Sequence, residues 1–283
     1  MPPEDTSAGY GWYLYGLMAQ VPLADFPTEG IDPDYLAHAL PHRLLQALVS
    51  RVKLVEFGTE PLRENLENLP WMAEKVVAHQ RVLQTALASG AVLPLKFCTI
   101  YTSEGCLEEA LAAHYDEFLL DLARLEGKSE WGVKVFCDEA TLTAQAGEAS
   151  ELVRELEAQA AGKSEGAAYF LRKKVEQARA AETERLSDSC AVASHDRLAR
   201  QAEDAALNGL HASELTGREE QMILNGAYLV AEECLPAFHG ELESLAEEYG
   251  GLGFSYELTG RWPAYNFVTV GVEEDAHADS VTR

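Results

Sequence analysis

The segment Trp12-Tyr13-Leu14-Tyr15-Gly16-Leu17-Met18 is made almost entirely of aromatic and large aliphatic residues. Such a short apolar run, rich in aromatic side chains, is typical of a buried β-strand. The next stretch, residues 21–34, contains Pro22, Pro27, Gly30 and Pro33, which predict a loop. We therefore expect residues 12–18 to form a strand in the core of an N-terminal domain.

The sequence that follows alternates between predicted strands and predicted helices. Proline near the start of a helical pattern and serine just before one both mark helix starts, as at Pro70 and Ser103. The predicted elements are a strand near residues 45–54, two helices within residues 59–90, a strand over 92–101, a helix over 103–125 and a strand over 131–136. Because helices must bury one face against a sheet, this order predicts an α+β domain over residues 1–138, with a ferredoxin-like sheet and packed helices.

The C-terminal half, residues 139–283, is predicted to be a second α+β domain built around a long helix. Residues 167–208 contain neither glycine nor proline, so we expect a helix over about residues 164–212. Later segments predict a strand over residues 222–230, a helix over 234–249 and a second strand over 254–259. The last residues, 273–283, are predicted to be a polar tail. A helix this long could also serve as a scaffold through which copies of the chain associate.

Charge and composition exclude several classes of protein. The chain carries 47 acidic and 22 basic residues, for a formal net charge of −25. A surface this negative repels nucleic-acid phosphates and anionic membranes. The chain has no run of 18 apolar residues, so it predicts no transmembrane helix, and its five widely spaced cysteines form no C-x-x-C pair. We expect a cytoplasmic protein with reduced thiols.

Enzymatic signatures are scarce. The sequence contains no G-x-G-x-x-G, no phosphate-binding G-x-x-x-x-G-K-[ST] and no G-x-S-x-G motif. His79, Cys98 and Cys106 lie in one predicted domain and could meet in space, as a reactive thiol or a metal site would require. A cytoplasmic small-molecule enzyme using such a Cys/His site is therefore the alternative hypothesis. We assign no catalytic, cofactor-binding or metal-binding residue.

Four groups of residues resemble segments of one known protein family. The aromatic opening at residues 12–16 is similar to the first strand of that family. The helix containing His79, followed by Val92-Leu93-Pro94-Leu95-Lys96-Phe97, resembles a helix that precedes its V-L-P-L-[KR]-F segment. Residues 127–135, GKSEWGVKV, are similar to its G-K-x-E-W-x-V-K-V signature, and residues 260–267, GRWPAYNF, resemble its G-P-W-P-x-Y-x-F, with Arg261 in place of a proline. With these four groups in this order, the chain resembles the gas vesicle protein F/L family (GvpF/GvpL).

The resemblance implies a two-domain α+β protein with a ferredoxin-like N-terminal domain. It also implies an accessory or minor structural component of gas vesicle formation, located in the cytoplasm and at gas vesicles. The implied partners are the hydrophobic shell protein GvpA, contacted through the N-terminal domain, and other gas vesicle accessory proteins. Physically, an acidic protein could cover an apolar subunit or offer it a sheet edge, limiting its aggregation. The candidate partner-binding residues, all in the first strand or the 92–97 segment, are Trp12, Tyr13, Leu14, Tyr15, Leu17, Leu95 and Phe97.

Overall fold

The computed structural model describes residues 9–20, 28–160, 165–212 and 217–268, and it divides into two units. The first unit comprises Met1–Ser129 and Trp262–Arg283, and the second comprises Glu130–Arg261. Each unit contains one sheet with helices packed on it. The predicted α+β class with two sheet-and-helix units is therefore confirmed.

The sheet of the first unit has six strands. Five of them follow the order β2-β3-β4-β1-β5, and β6 pairs with a different part of β1 from the part that pairs with β5. These strands are β1 (Tyr10–Ala19), β2 (Thr28–Glu29), β3 (Leu36–His42), β4 (Leu45–Lys53), β5 (Val92–Pro94) and β6 (Ile100–Tyr101). Strand β3 was not predicted, because Pro41 and polar flanking residues hide its alternation. It forms a hairpin with β4 through Arg43, which adopts a positive φ of 55°.

Strand β1 is central in this sheet. It pairs antiparallel with β4 over its whole length, from Tyr10 opposite Lys53 to Ala19 opposite Leu45. Its other edge pairs with β5 and β6. The close approach of β5 explains Gly16, where an added Cβ would lie 2.6 Å from the Leu93 carbonyl oxygen. The predicted strand at residues 12–18 is thus confirmed, whereas the single strand predicted over residues 92–101 is two short strands.

Five helices cover the first unit. They are α1 (Leu54–Phe57), α2 (Thr59–Leu66), α3 (Leu69–Leu87), α4 (Glu104–Ala113) and α5 (Tyr115–Leu125). Pro70 lies in the first turn of α3, and the Ser103 hydroxyl accepts a hydrogen bond from the Cys106 amide at the start of α4, as predicted. The helix predicted over residues 103–125 is divided at His114, whose backbone leaves the helical region.

The second unit contains a four-stranded sheet in the order β10-β7-β9-β8. Its strands are β7 (Lys128–Cys137), β8 (Asp204–Leu207), β9 (Gln221–Ala231) and β10 (Phe254–Trp262). The strand expected to complete the first sheet, residues 131–136, is β7 of this second sheet. That expectation was wrong because β7 lies between β9 and β10 and buries Val133, Val135 and Cys137 in the second core.

Helices α6 (Glu139–Ala149), α7 (Glu151–Ala160), α8 (Glu165–Ala199) and α9 (Leu235–Gly250) complete the second unit. The predicted helix over about residues 164–212 ends at Ala199, so its C-terminal bound was wrong. Strand β8 follows because its backbone pairs antiparallel with β9, with Asp204 opposite Leu229. Sheet pairing here overrides the helix-favouring composition of the segment.

The predicted domain boundary between residues 138 and 139 stays a prediction. The two units meet in sequence at Ser129 and Glu130, near the start of β7. The predicted polar tail, residues 273–283, lies outside the described residues. No helix among the described residues is long and apolar enough to cross a membrane.

Candidate functional site

The predicted partner-binding residues are mostly interior. Tyr13, Leu14, Tyr15, Leu17 and Leu95 are buried in the first unit, and Trp12 and Phe97 are half-buried. The idea that the first strand offers a free edge is wrong, because both edges of β1 already carry paired strands. Whether Trp12 or Phe97 contacts a partner remains a prediction.

The two half-buried aromatic residues already have neighbours within the unit. The Trp12 ring packs edge-on against His38, and the Arg51 guanidinium lies 5.3 Å from its ring centroid. Phe97 presents an edge to His79, with ring centroids 5.7 Å apart. Both side chains therefore support the fold and leave only part of their surface for other contacts.

The aromatic strand is organised around a buried histidine on α3. Nδ1 of His79 lies 2.9 Å from the Tyr13 hydroxyl, and Nε2 lies 2.9 Å from the Tyr265 hydroxyl. The Tyr13 hydroxyl also accepts a hydrogen bond of 2.8 Å from the Cys98 amide. Either neutral tautomer of the imidazole satisfies both nitrogens, because a phenol can donate or accept.

This network joins three of the four groups that carry the family resemblance. Tyr13 comes from the aromatic opening, His79 from the helix, Cys98 from the position after the 92–97 segment and Tyr265 from the C-terminal motif. These three groups therefore meet in one polar cluster of the first unit.

Burial shifts the pKa values of the Cys/His pair away from those of a reactive thiolate–imidazolium pair. It lowers the pKa of His79 to about 4 and raises the pKa of the Cys98 thiol to about 12. At neutral pH both groups are uncharged, whereas a nucleophilic cysteine needs a thiolate, commonly beside a protonated histidine. The His79 ring and the Cys98 amide both contact the Tyr13 hydroxyl. However, the protonation states of the imidazole and the thiol do not suit nucleophilic chemistry.

Cys106 and the three remaining histidines of the described first unit have contacts of their own, away from His79. The Cys106 sulfur lies 3.2 Å from the Ser103 hydroxyl at the start of α4. Nδ1 of His114 lies 3.0 Å from Glu117 one turn later. His38 and His42 lie on strand β3. Among the described residues, no three His, Cys, Asp or Glu side chains are arranged to hold a metal ion.

Helix α3 also buries a charged residue next to the core. The Lys75 ammonium lies 3.2 Å from Glu56 and 3.3 Å from Glu74, and it faces the rings of Phe57 and Trp71. The Trp71 indole N–H donates a hydrogen bond of 2.7 Å to the same Glu56 carboxylate. Lys75 and His79 lie one turn apart on α3, and the contacts of both hold that side of the helix against the core. They thereby fix the rotation of α3 about its own axis.

This rotation leaves an apolar stripe on the solvent side of α3. Leu69, Ala73, Val76 and Val77 are all exposed, with Leu69 at 73% and Val77 at 67%. Their spacing of four, three and one residues places them on one face about 12 Å long. Val76 and Val77 recur at helical intervals along α3, but they do not face the core, because His79 and Lys75 occupy that side. We call these four residues the α3 stripe.

A shallow groove runs beside the α3 stripe. It has a volume of about 480 Å³ and is bordered by α3 and by the segment following β2. Ala73, Val77 and Ala78 line one side, and Ile31 and Pro33 line the other. Glu29 and Arg81 form an ion pair at its rim. An apolar floor with charged edges can accept an apolar side chain from another protein. Sequence periodicity alone did not reveal this surface, because apolar residues of α3 lie on both its buried and its exposed side.

Comparisons with known proteins agree with the motifs. The model of the family described as gas vesicle synthesis protein GvpL/GvpF matches residues 11–269. Gas vesicle protein L of a Streptomyces species is 30% identical over 260 residues, covering 89% of this chain and 92% of that protein. Gas vesicle protein L1 of Halobacterium salinarum is 25% identical, covering 93% of this chain and 92% of that protein.

Solved structures share the fold. The crystal structure of GvpF from an Anabaena species superposes with a TM-score of 0.69 at 18% identity, covering 92% of this chain and 99% of that chain. GvpF from Microcystis aeruginosa gives a TM-score of 0.63 at 18% identity with the same coverage. The match of the family model over residues 11–269 and the 30% identity to the Streptomyces protein show that the chain belongs to the GvpL/GvpF family of gas vesicle synthesis proteins.

Proposed function

We propose that this chain supports the nucleation or assembly of gas vesicles by binding the hydrophobic shell protein GvpA and limiting its aggregation. Membership of the GvpL/GvpF family carries the role in gas vesicle formation. The binding role rests on one observation, the α3 stripe. It exposes a continuous apolar face on a chain whose net charge is −25.

The α3 stripe suits transient capture of an apolar subunit. Its four side chains are small or aliphatic and lie beside a groove, so they can pack against an apolar helix or strand. The acidic remainder of the protein keeps the complex dispersed, since a strongly charged surface resists further association. A bound GvpA subunit would thus be covered on its apolar side until it joins a growing shell.

Co-expression with GvpA tests this function. The double variant Leu69→Ser/Val77→Ser replaces the two most exposed members of the α3 stripe. Val55→Ser/Leu120→Ser is the matched control, because Val55 and Leu120 are 79% and 73% exposed in the same unit. Soluble GvpA and GvpA recovered by pull-down are measured against a chain-free culture.

We expect the wild type and the control variant to increase the amount of soluble GvpA and to recover GvpA in the pull-down. The α3 stripe variant should do neither. Since all four substituted side chains are exposed, the melting temperatures of both variants should stay close to that of the wild type. Equal GvpA recovery with the two variants would rule out the α3 stripe, and recovery no better than the chain-free culture would rule out the function.

A further inference from the structure

The first half of α8 lies outside the core of the second unit. The residues of α8 that join that core all lie from Leu186 onward, including the fully buried Cys190 and Leu198. The helix has 35 residues and a length of about 50 Å. Its N-terminal half instead packs against α7 and α6, through the Arg179–Glu157 ion pair and the Thr183–Thr143 hydroxyl contact.

One side of this half-helix is covered and the opposite side is open. Val175 is buried where it lines the cleft against α7, together with Ala168 and Arg172. The opposite side carries Tyr169, Phe170, Lys173 and Lys174. Each lysine follows each aromatic residue by three to five positions, so all four share the face turned away from Val175. We call these four residues the aromatic–lysine face.

The aromatic–lysine face is unusually apolar for a solvent-facing surface. Tyr169 and Phe170 are 61% and 69% exposed, with ring centroids 5.8 Å apart in an edge-to-face arrangement. Two neighbouring aromatic rings this exposed contribute little to the free energy of folding, because most of their surface stays in water. Aromatic residues held on a rigid helix are the side chains that dominate binding energy at protein interfaces.

The same face is basic in a strongly acidic protein. Two of its four residues are lysines and none is acidic, whereas the whole chain has 22 basic and 47 acidic residues. Lys173 and Lys174 are exposed, and no ion pair within the described part of the chain involves either one. Their charges are therefore available to a carboxylate from outside.

We propose that the aromatic–lysine face docks an acidic amphipathic helix of a partner protein. Such a helix would place apolar side chains on Tyr169 and Phe170, and carboxylates three or four positions away on Lys173 and Lys174. A second copy of the chain using the same face would set lysine against lysine. Nucleic acid and anionic membrane fit poorly, because the rest of the protein would repel their phosphates.

Binding of a designed peptide tests this inference on the full chain. The probe is a fluorescein-labelled helical peptide of about 14 residues with leucine and glutamate on one face. A second peptide carries glutamine in place of every glutamate. Fluorescence anisotropy at about 0.15 M salt, where long-range repulsion is screened, gives the dissociation constants.

The key variant is Lys173→Glu/Lys174→Glu. Its control is Arg63→Glu/Arg200→Glu, which changes the net charge equally at two other exposed positions. We expect the key variant and Tyr169→Ser/Phe170→Ser each to weaken binding at least about tenfold, which corresponds to about 1.4 kcal/mol. The control and Val192→Ser, another exposed position on α8, should bind as the wild type does.

Three results would overturn the inference. The first is equal binding by the key variant and its charge control, and the second is equal binding of the glutamate and glutamine peptides. The third is preferential binding to labelled DNA, to vesicles of anionic lipid or to a second copy of the chain, detected by anisotropy, co-sedimentation and light scattering. Since the aromatic–lysine face and the α3 stripe lie in different units, each can fail without the other.

Discussion

Nδ1 of His79 lies 2.9 Å from the hydroxyl of Tyr13, and this contact joins helix α3 to the central strand of the first sheet. The tyrosine is fully buried and the histidine nearly so. In a protein interior such a pair specifies one packing arrangement, since any shift of the helix leaves a buried polar group without a partner.

Removing the two phenol groups should have unequal effects. Tyr13→Phe should lower the free energy of unfolding by about 2 to 3 kcal/mol, because it leaves both the Cys98 amide and Nδ1 of His79 without their hydrogen-bond partner. Tyr265→Phe should lower it by only about 1 kcal/mol, because Tyr265 is partly exposed and water can take its place. Urea unfolding of both variants measures the difference, and a larger loss for Tyr265→Phe would contradict the role given to Tyr13.

The stability of the protein should depend on the protonation of His79. Its folded-state pKa is about 4, below the value near 6.5 expected for an unfolded chain. The folded state therefore favours the neutral ring, and its contribution is complete above about pH 6.5 and is lost as the pH falls toward about 4. The loss should be roughly 3 kcal/mol over that range.

The variant His79→Gln isolates this effect from the titration of carboxylates. Its stability should fall less steeply than that of the wild type between about pH 6.5 and about pH 4, measured by urea unfolding at several pH values. Parallel curves for the two proteins would mean that His79 titrates normally in the folded state.

Thiol labelling tests the alternative hypothesis of a Cys/His enzyme. Because burial raises the pKa of Cys98 to about 12, this thiol should react with a disulfide reagent only after unfolding. Cys106 is half-buried and should react sooner in the folded protein. Variants that retain either Cys98 or Cys106 as the only one of the five cysteines allow each rate to be measured. Labelling of folded Cys98 faster than of a free cysteine would revive the enzyme hypothesis.

The buried lysine of α3 should depend on one of its two carboxylates. Glu56→Ala should destabilise the protein by about 2 to 3 kcal/mol, because it removes a partner of both Lys75 and the Trp71 indole. Glu74 is 71% exposed, so Glu74→Ala should cost less than about 0.5 kcal/mol. Thermal and urea unfolding measure both values. Similar losses for the two variants would mean that exposure does not decide the strength of these pairs.

Local sequence signals predicted the elements whose start or composition is distinctive. Pro70 and Ser103 marked helix starts, and the aromatic run at residues 12–18 marked the central strand. Where long-range contacts decide, the predictions failed. Residues 204–207 form a strand because they pair with β9. Cys98 adopts a positive φ of 66°, and its amide donates a hydrogen bond to the Tyr13 hydroxyl.

The candidate surfaces were harder to predict than the fold. Val76 and Val77 have the spacing of core residues, and only the partners of Lys75 and His79 reveal that the helix is turned the other way. Four of the five predicted binding residues in the first strand, Tyr13, Leu14, Tyr15 and Leu17, are apolar or aromatic because they form the interior. Periodicity identifies an apolar face but does not state whether the protein itself covers it.

The first unit is discontinuous in sequence, because Tyr265 reaches His79 across 186 positions. On the ribosome, His79 emerges long before Tyr265 exists, and all of the second unit is translated in between. The first unit therefore lacks its C-terminal segment until its neighbour has been synthesised. Translation stalling anywhere in the second unit would leave the first unit without the buried side chains of Ala264 and Phe267, so a complete first unit is produced only after the second.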